Sequence, residues 1–142
     1  MVQRILVVCC GNTCRSPMAA ALLQRLLGEA ARVESAGIDT GEGLRPTKEA
    51  VSVMKELGVD VSAHRSRNAE SLDLKKFDRV LAMTPAISNQ LREAGVDVAR
   101  ITQLNVSDPY CKGTDVYREA AKEIESQLRS LFDASHGEPF LK

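Results

Sequence analysis

Short apolar runs alternate four times with helical patterns along this chain of 142 residues. Runs rich in β-branched residues predict strands at 4–8, 32–35, 79–83 and 100–104. Apolar residues at helical spacing predict helices over about 17–27, 47–57, 85–94 and 114–132. This alternation predicts a single α/β domain over residues 1–142, in which helices cover both faces of a four-stranded parallel sheet. We expect residues 134–142 to form a tail.

The balance of charge excludes several classes of partner. Basic and acidic residues number 19 each, so the formal net charge is zero and no general attraction to nucleic acid or an anionic membrane is expected. No apolar run approaches the ~18 residues that span a bilayer, and the first strand begins too early to leave room for a signal peptide. We therefore expect a cytoplasmic protein without nucleic-acid or membrane partners. A transient homodimer is compatible with this composition.

The segment between the first strand and the first helix is the strongest candidate for a functional site. A strand, a tight loop and a helix N-terminus together form an anion site, because unpaired backbone N–H groups point into the loop. We therefore predict a phosphate-binding loop after the first strand. It reads Cys9-Cys10-Gly11-Asn12-Thr13-Cys14-Arg15-Ser16 and is followed by Pro17.

The residue types in this loop suit nucleophilic chemistry on a phosphate. A helix N-terminus, backbone N–H groups and a guanidinium group favour the thiolate form of a cysteine, and the loop offers all three to Cys9. Arg15 carries a planar fork of donors that can bind two phosphate oxygens. Gly11 and Asn12 suit a tight backbone turn. Ser16 can either cap the helix or donate a hydrogen bond to the sulfur of Cys9.

A carboxylate from a distant part of the chain is expected to reach the same loop. In parallel α/β sheets, ligands bind beyond the carboxyl ends of the strands. The loop at 105–113 follows the fourth predicted strand and contains Asp108. Asp108 can therefore lie beside Cys9 and Arg15, although an Asp before Pro is also typical of an ordinary turn.

Several motifs occur together in the order found in one known family. They are Cys9-(five residues)-Arg15-Ser16 with Gly11, Asn12, Cys14 and Pro17 in their places, then Ser35-Ala36-Gly37, His64-Arg65-Ser66-Arg67 and Asp108-Pro109-Tyr110. Over nearly its whole length, the chain resembles the low-molecular-weight protein-tyrosine phosphatases.

This resemblance implies a two-step phosphatase mechanism that needs no cofactor and no metal ion. Cys9 would attack phosphorus and form a cysteinyl-phosphate, while Arg15 and the loop amides bind the transferred phosphoryl group. Asp108 would protonate the leaving group and then act as a base toward water. The partner would be a phosphorylated protein. The residues that would brace the loop by hydrogen bonds are Asn12, Ser16, Ser35 and His64.

The predicted substrate pocket departs from the tyrosine phosphatases of this family. Eukaryotic members line the pocket with aromatic side chains, but the region around Gly41 has none, and only Tyr110 remains on the other side. Thr13 stands where a bulkier aliphatic residue is usual, and this resembles the protein-arginine phosphatase branch. A smaller residue with a hydroxyl group suits a guanidinium-linked phosphate, with which Asp108 can pair. Phosphotyrosine and phosphoarginine are both candidate substrates.

Three other functions fit the loop less well. A thioredoxin-coupled arsenate reductase needs further cysteines downstream, and the chain has none between residues 28 and 105. A metal site needs a second group of ligands, and the two histidines, His64 and His136, have no companion pair. A phosphate-binding module without catalysis would not need the complete set of Cys9, Arg15 and Asp108.

Oxidation offers a role for a second cysteine of the loop. The chain has four cysteines, and thiols in the cytoplasm are mostly reduced. Cys14 is the predicted redox partner of Cys9, since a disulfide between them would protect the nucleophile from irreversible oxidation. Cys111 is expected to be incidental.

Overall fold

The computed structural model describes residues 2–132, and the predicted tail at 134–142 lies outside this range. Each predicted strand and helix is present, with ends that differ by at most two residues. The strands are β1 (Gln3–Cys9), β2 (Ala31–Gly37), β3 (Arg79–Ala82) and β4 (Ile101–Gln103). The helices are α1 (Arg15–Leu27), α2 (Lys48–Glu56), α3 (Pro85–Glu93) and α4 (Thr114–Phe132). Short 3₁₀ turns lie at Gly28–Ala30, Ala69–Ser71, Leu74–Lys76 and Val98–Arg100.

The strands form one parallel sheet in the order β2-β1-β3-β4. This order confirms the predicted fold class. β1 pairs with β2 on one side and with β3 on the other, so the strand order reverses at β1. Ligands of such sheets bind in the crevice beyond the carboxyl ends of the strands, at the point of reversal. The last residue of β1 is Cys9, which therefore lies where a ligand is expected.

β1 is buried on both faces, because its side chains alternate between two hydrophobic layers. Ile5 and Val7 pack in one layer with α1, α2 and α4. Leu6 and Val8 pack in the other layer with α3. Helices therefore cover both faces, as predicted, and none within residues 2–132 is both long and apolar enough to cross a membrane. Burial on both faces fixes the position from which the chain leaves β1 at Cys9.

α1 begins earlier than predicted, at Arg15, and its N-cap residue is Cys14 rather than Ser16. The capping role predicted for Ser16 is wrong, because its hydroxyl group makes its hydrogen bonds inside the loop. No side chain caps α1, whereas the hydroxyl groups of Thr47 and Thr84 accept hydrogen bonds at the N-termini of α2 and α3. The N-terminus of α1 thus keeps its positive end available to an anion.

Candidate active site

A pocket of about 620 Å³ lies beyond the carboxyl end of β1. Its walls come from the loops after β1, β2 and β4, which the topology brings to one edge of the sheet. Among the residues predicted from sequence, the pocket is lined by Cys9, Cys10, Gly11, Thr13, Cys14, Arg15, Gly41, Asp108 and Tyr110. The lining is completed by Asp39, Thr40, Leu44, Arg45 and Thr47.

The sulfur of Cys9 accepts hydrogen bonds from inside the loop. The backbone N–H of Asn12 lies 3.2 Å from Sγ, and the hydroxyl oxygen of Ser16 lies 3.0 Å from it. That oxygen accepts a hydrogen bond of 2.8 Å from Nδ2 of Asn12, so the hydroxyl proton of Ser16 is free to point at the sulfur. Such bonds are stronger to a charged acceptor than to a neutral one. The arrangement suits a nucleophilic thiolate.

Asn12 stabilises the phosphate-binding loop through hydrogen bonds made on its buried side. Its backbone has a φ of 55°, a left-handed conformation that Asn adopts more readily than most residues, and its side chain is fully buried. Besides its bond to Ser16, Nδ2 donates to Oγ of Ser35 at 2.9 Å, and Oδ1 accepts from the backbone N–H of Arg67 at 2.9 Å. Its carbonyl oxygen accepts from Nε2 of His64 at 2.8 Å. Four of the predicted bracing residues therefore form one network.

Arg15 is positioned to bind an anion in the pocket. Its Nη1 donates to the carbonyl oxygen of Val106 at 2.9 Å, and this bond fixes the plane of the guanidinium group. Nε of Arg15 is buried and has no hydrogen-bond partner among residues 2–132, although an unpaired buried donor is costly. A phosphate bound by the loop would satisfy Nε and Nη2 with two oxygens. The donors present therefore fit a phosphate group.

Asp108 reaches the same pocket from the loop after β4. Its Oδ1 accepts a hydrogen bond from the backbone N–H of Tyr110 at 3.0 Å, and its Oδ2 lies 3.8 Å from Nη2 of Arg15. The thiol of Cys14 donates toward Oδ1 over 3.8 Å. Burial, with the nearby charge of Cys9, raises the pKa of Cys14 to about 12, so Cys14 stays protonated at neutral pH. A disulfide between Cys14 and Cys9 stays a prediction, since both are free cysteines here.

A family model described as low molecular weight phosphotyrosine protein phosphatase matches residues 4–138. The chain belongs to this family. A protein-arginine-phosphatase from Geobacillus stearothermophilus is 37% identical over 141 residues, which cover 92% of this chain and 95% of that protein. A crystal structure of a low molecular weight protein tyrosine phosphatase from T. tengcongensis matches with a TM-score of 0.84 and 35% identity, covering 91% of this chain and 97% of that one.

The chain is also similar to a protein that is named as a reductase rather than a phosphatase. An arsenate reductase 2 from Staphylococcus saprophyticus is 30% identical, over 92% of this chain and 97% of that protein. Membership of the low molecular weight phosphatase family therefore establishes a protein phosphatase fold, and the chemistry must be argued from the pocket itself.

Three further residues shape this pocket, although the sequence analysis assigned none of them a role in the site. Ser66 is buried, and its hydroxyl group donates to the carbonyl oxygen of Gly41 at 2.6 Å while accepting from the N–H of Leu44 at 2.9 Å. Arg67 braces the loop through its backbone N–H, which donates to Oδ1 of Asn12, and any residue type except proline could supply this donor. Asp39 lines the pocket from the loop after β2. The segment from His64 onward thus braces both the phosphate-binding loop and the pocket wall.

A second cavity has no connection with these residues. It has a volume of about 510 Å³ and lies between α3 and the 3₁₀ turns before β3, on the opposite face of the sheet from α1. None of the predicted site residues lines it. Within residues 2–132, no group of three or more His, Cys, Asp or Glu side chains is arranged to hold a metal ion.

Acidification is expected to destabilise the protein through His64. Burial lowers the pKa of His64 below its usual range, and the charges of Arg67 and Arg65 lower it further, against the effect of its bond to Asn12. The unfolded state, with a His pKa of about 6.5, therefore binds a proton more readily than the folded state does. The free energy of unfolding should decrease as the pH falls below about 6.5.

Urea unfolding on both sides of this pH measures the effect. His64→Gln keeps an amide donor for Asn12 but cannot titrate, so its stability should decrease less on acidification. His136 is present in both proteins and cancels in the comparison. An equal loss of stability in the two proteins would show that His64 is not responsible.

Proposed function

We propose that this chain is a cysteine-dependent protein phosphatase that hydrolyses phosphoarginine in proteins. The observation that carries the substrate assignment is the wall of the pocket after β2. It consists of Asp39, Thr40, Gly41, Leu44 and Arg45 and contains no aromatic side chain. A phosphotyrosine ring would have no aromatic surface to stack on there, whereas a guanidinium group would find polar and charged groups.

In the first step of the proposed reaction, the thiolate of Cys9 attacks phosphorus as the bond to the leaving nitrogen breaks. Arg15 and the loop amides bind the three oxygens that carry the developing charge. Asp108 donates a proton to the nitrogen, so that arginine leaves as a complete side chain. The product is a cysteinyl-phosphate on the enzyme.

In the second step, a water molecule attacks the cysteinyl-phosphate. Asp108, now a carboxylate, accepts a proton from this water. The bond between sulfur and phosphorus breaks, inorganic phosphate leaves, and the thiolate of Cys9 is restored. The distance of 3.8 Å between Oδ2 of Asp108 and Nη2 of Arg15 supports these proposed roles.

Thr13 supports phosphoarginine as the substrate. It is half-buried and lines the pocket, and a Cβ atom at Gly11, which also lines the pocket, would lie 3.6 Å from its hydroxyl oxygen. Its carbonyl oxygen accepts a hydrogen bond of 2.9 Å from the N–H of Thr47, which fixes its position. The similarity to a protein-arginine-phosphatase at 37% identity points the same way.

Phosphotyrosine is the second candidate, and Tyr110 favours it. This side chain is 57% exposed and lies at the rim, where it can contact an aromatic ring. Arsenate reduction is a weaker candidate despite the relative of that name, because the chain has no cysteine between Cys14 and Cys111 to relay a disulfide.

Thr13→Ile is expected to reduce the preference for phosphoarginine. The added aliphatic bulk removes the hydroxyl group and narrows the floor beneath a planar guanidinium group, and changes of this size in a pocket alter specificity about 10-fold or more. The measurement is kcat/KM for two peptides of identical flanking sequence, one with phosphoarginine and one with phosphotyrosine. Thr13→Val, which keeps the shape, separates loss of the hydroxyl group from added bulk.

Two results would overturn the substrate assignment. One is a wild-type enzyme that prefers the phosphotyrosine peptide. The other is a ratio of kcat/KM values that Thr13→Ile leaves unchanged. Arsenate-dependent oxidation of reduced thioredoxin by the wild-type enzyme, without phosphatase activity, would instead support the reductase.

A further inference from the structure

Asp39 is a charged residue of the pocket that the proposed mechanism does not use. It follows β2, whereas Asp108 follows β4, and these strands lie at opposite edges of the sheet with β1 between them. Both carboxylates line the same pocket as Cys9. They therefore approach the phosphate-binding loop from two different sides.

The backbone around Asp39 is packed directly against this loop. The N–H of Ile38 donates to the carbonyl oxygen of Cys9 at 2.9 Å, and the N–H of Asp39 donates to that of Cys10 at 3.0 Å. Any Cβ atom at Gly37 would lie only 2.7 Å from the same carbonyl oxygen of Cys10. The absence of a side chain at Gly37 thus permits this close approach, and the two backbone hydrogen bonds fix the backbone of Asp39 beside the loop.

The carboxylate of Asp39 is free to interact with a bound molecule. Within residues 2–132 its side chain accepts no hydrogen bond and forms no ion pair, and it is exposed at the mouth of the pocket. Its charge nevertheless reaches the loop: burial and then Asp39 raise the pKa of Cys10. A cation entering the pocket would be attracted by the same field.

We propose that Asp39 is a specificity-determining residue that, together with Asp108, selects a phosphorylated side chain that carries a guanidinium group. The inference rests on the proposed function and deepens it. The guanidinium part of phosphoarginine is positively charged and can lie between the two carboxylates, beside its own phosphoryl group. The ring of phosphotyrosine is neutral, so Asp39 offers it no attraction, whereas the repulsion between Asp39 and the phosphoryl group is common to both substrates.

Arg45 allows a test of whether the sign of the charge at the pocket mouth determines which substrate is preferred. Its guanidinium group lines the mouth and carries the opposite charge. If charge at the mouth decides between the substrates, removal of Asp39 and removal of Arg45 should change the preference in opposite directions. A purely structural effect of either substitution would not produce this reversal.

The experiment compares kcat/KM for the paired phosphoarginine and phosphotyrosine peptides. Asp39→Asn is expected to lower the ratio of the two values about fivefold at low salt, and Arg45→Gln to raise it. Added salt should reduce the ratio for the wild-type enzyme and change it little for Asp39→Asn, because salt screens exposed charges. Glu29→Gln is the control. Glu29 is exposed and directly precedes β2, so the same change of charge occurs at the amino ends of the strands, away from the pocket.

The outcomes separate this inference from the function on which it rests. If the wild-type enzyme prefers phosphotyrosine, the substrate assignment fails, and the inference fails with it. If it prefers phosphoarginine but Asp39→Asn leaves the ratio unchanged, lowers both activities equally, or matches Glu29→Gln, only the role of Asp39 is overturned. A lowered ratio with the opposite change in Arg45→Gln supports it.

Discussion

Replacing Cys9 with serine is expected to abolish phosphatase activity while leaving the phosphate-binding loop intact. Serine can keep the hydrogen bonds that the sulfur receives from Asn12 and Ser16, so the loop should fold as before. Its hydroxyl group holds its proton far more tightly than a thiol does, and it is a poor nucleophile without a base beside it. We expect hydrolysis of p-nitrophenyl phosphate to fall by ~10⁴-fold or more.

Phosphate binding distinguishes a lost nucleophile from a lost fold. Arg15 and the N-terminus of α1 are unchanged in Cys9→Ser, so inorganic phosphate should bind with an affinity close to that of the wild-type enzyme in calorimetry. Acid-quenched wild-type enzyme should carry one phosphoryl group by mass spectrometry, and Cys9→Ser should carry none. Cys111→Ser, at an exposed position outside the pocket, is the matched control. Normal turnover in Cys9→Ser would refute the proposed mechanism.

The positions of Cys9, Arg15 and Asp108 could be predicted because topology and spacing determine them. Apolar runs of the right length identified the strands, and parallel strands deliver their following loops to one edge of a sheet. Because β1 and β4 belong to one parallel sheet, the loop that contains Asp108 reaches the same edge of the sheet as the loop after Cys9. The distance of 3.8 Å from Oδ2 of Asp108 to Nη2 of Arg15 agrees with that expectation.

The role of Ser16 illustrates where local preference misleads. A serine before proline is a favourable N-cap, and the sequence supports that interpretation. In the folded chain, Ser16 instead lies between Nδ2 of Asn12 and the sulfur of Cys9, at 2.8 Å and 3.0 Å. A buried polar network is more demanding than an exposed cap, because each unsatisfied group inside it is costly. The helix therefore begins earlier, at Arg15.

The contacts of Ser66 and Asp39 could not be predicted from the sequence, although Ser66 belongs to the motif at 64–67, because loop residues follow no periodicity. A serine in a polar connection is exposed in most proteins, yet Ser66 is 1% exposed and bonds both ends of the turn from Gly41 to Leu44. Asp39 lies at the pocket because Gly37 packs closely against the backbone of Cys10. Both depend on contacts between segments far apart in the chain, which only the fold supplies.

Replacing Asp108 with alanine is expected to slow hydrolysis by ~10²–10⁴-fold, the usual contribution of a general acid. The loss should depend on the leaving group. A good leaving group such as p-nitrophenolate departs without much help, whereas phenolate or an arginine nitrogen needs a proton as its bond to phosphorus breaks. We therefore expect a smaller loss with p-nitrophenyl phosphate than with phenyl phosphate or a phosphoarginine peptide, measured as kcat for each substrate.

Asp108→Asn separates proton transfer from positioning. The amide oxygen of Asn can still accept the hydrogen bond that Oδ1 receives from the N–H of Tyr110, so the loop should keep its shape, but the side chain cannot transfer a proton. If Asp108 acts as an acid, Asn and Ala should lose activity to the same extent and with the same dependence on the leaving group. Asp115→Asn removes a carboxylate whose side chain is 96% exposed, outside the pocket, and should leave kcat unchanged. Activity restored by Asn, or an equal loss for good and poor leaving groups, would mean that Asp108 only positions Arg15 and Cys14, and that another group supplies the proton.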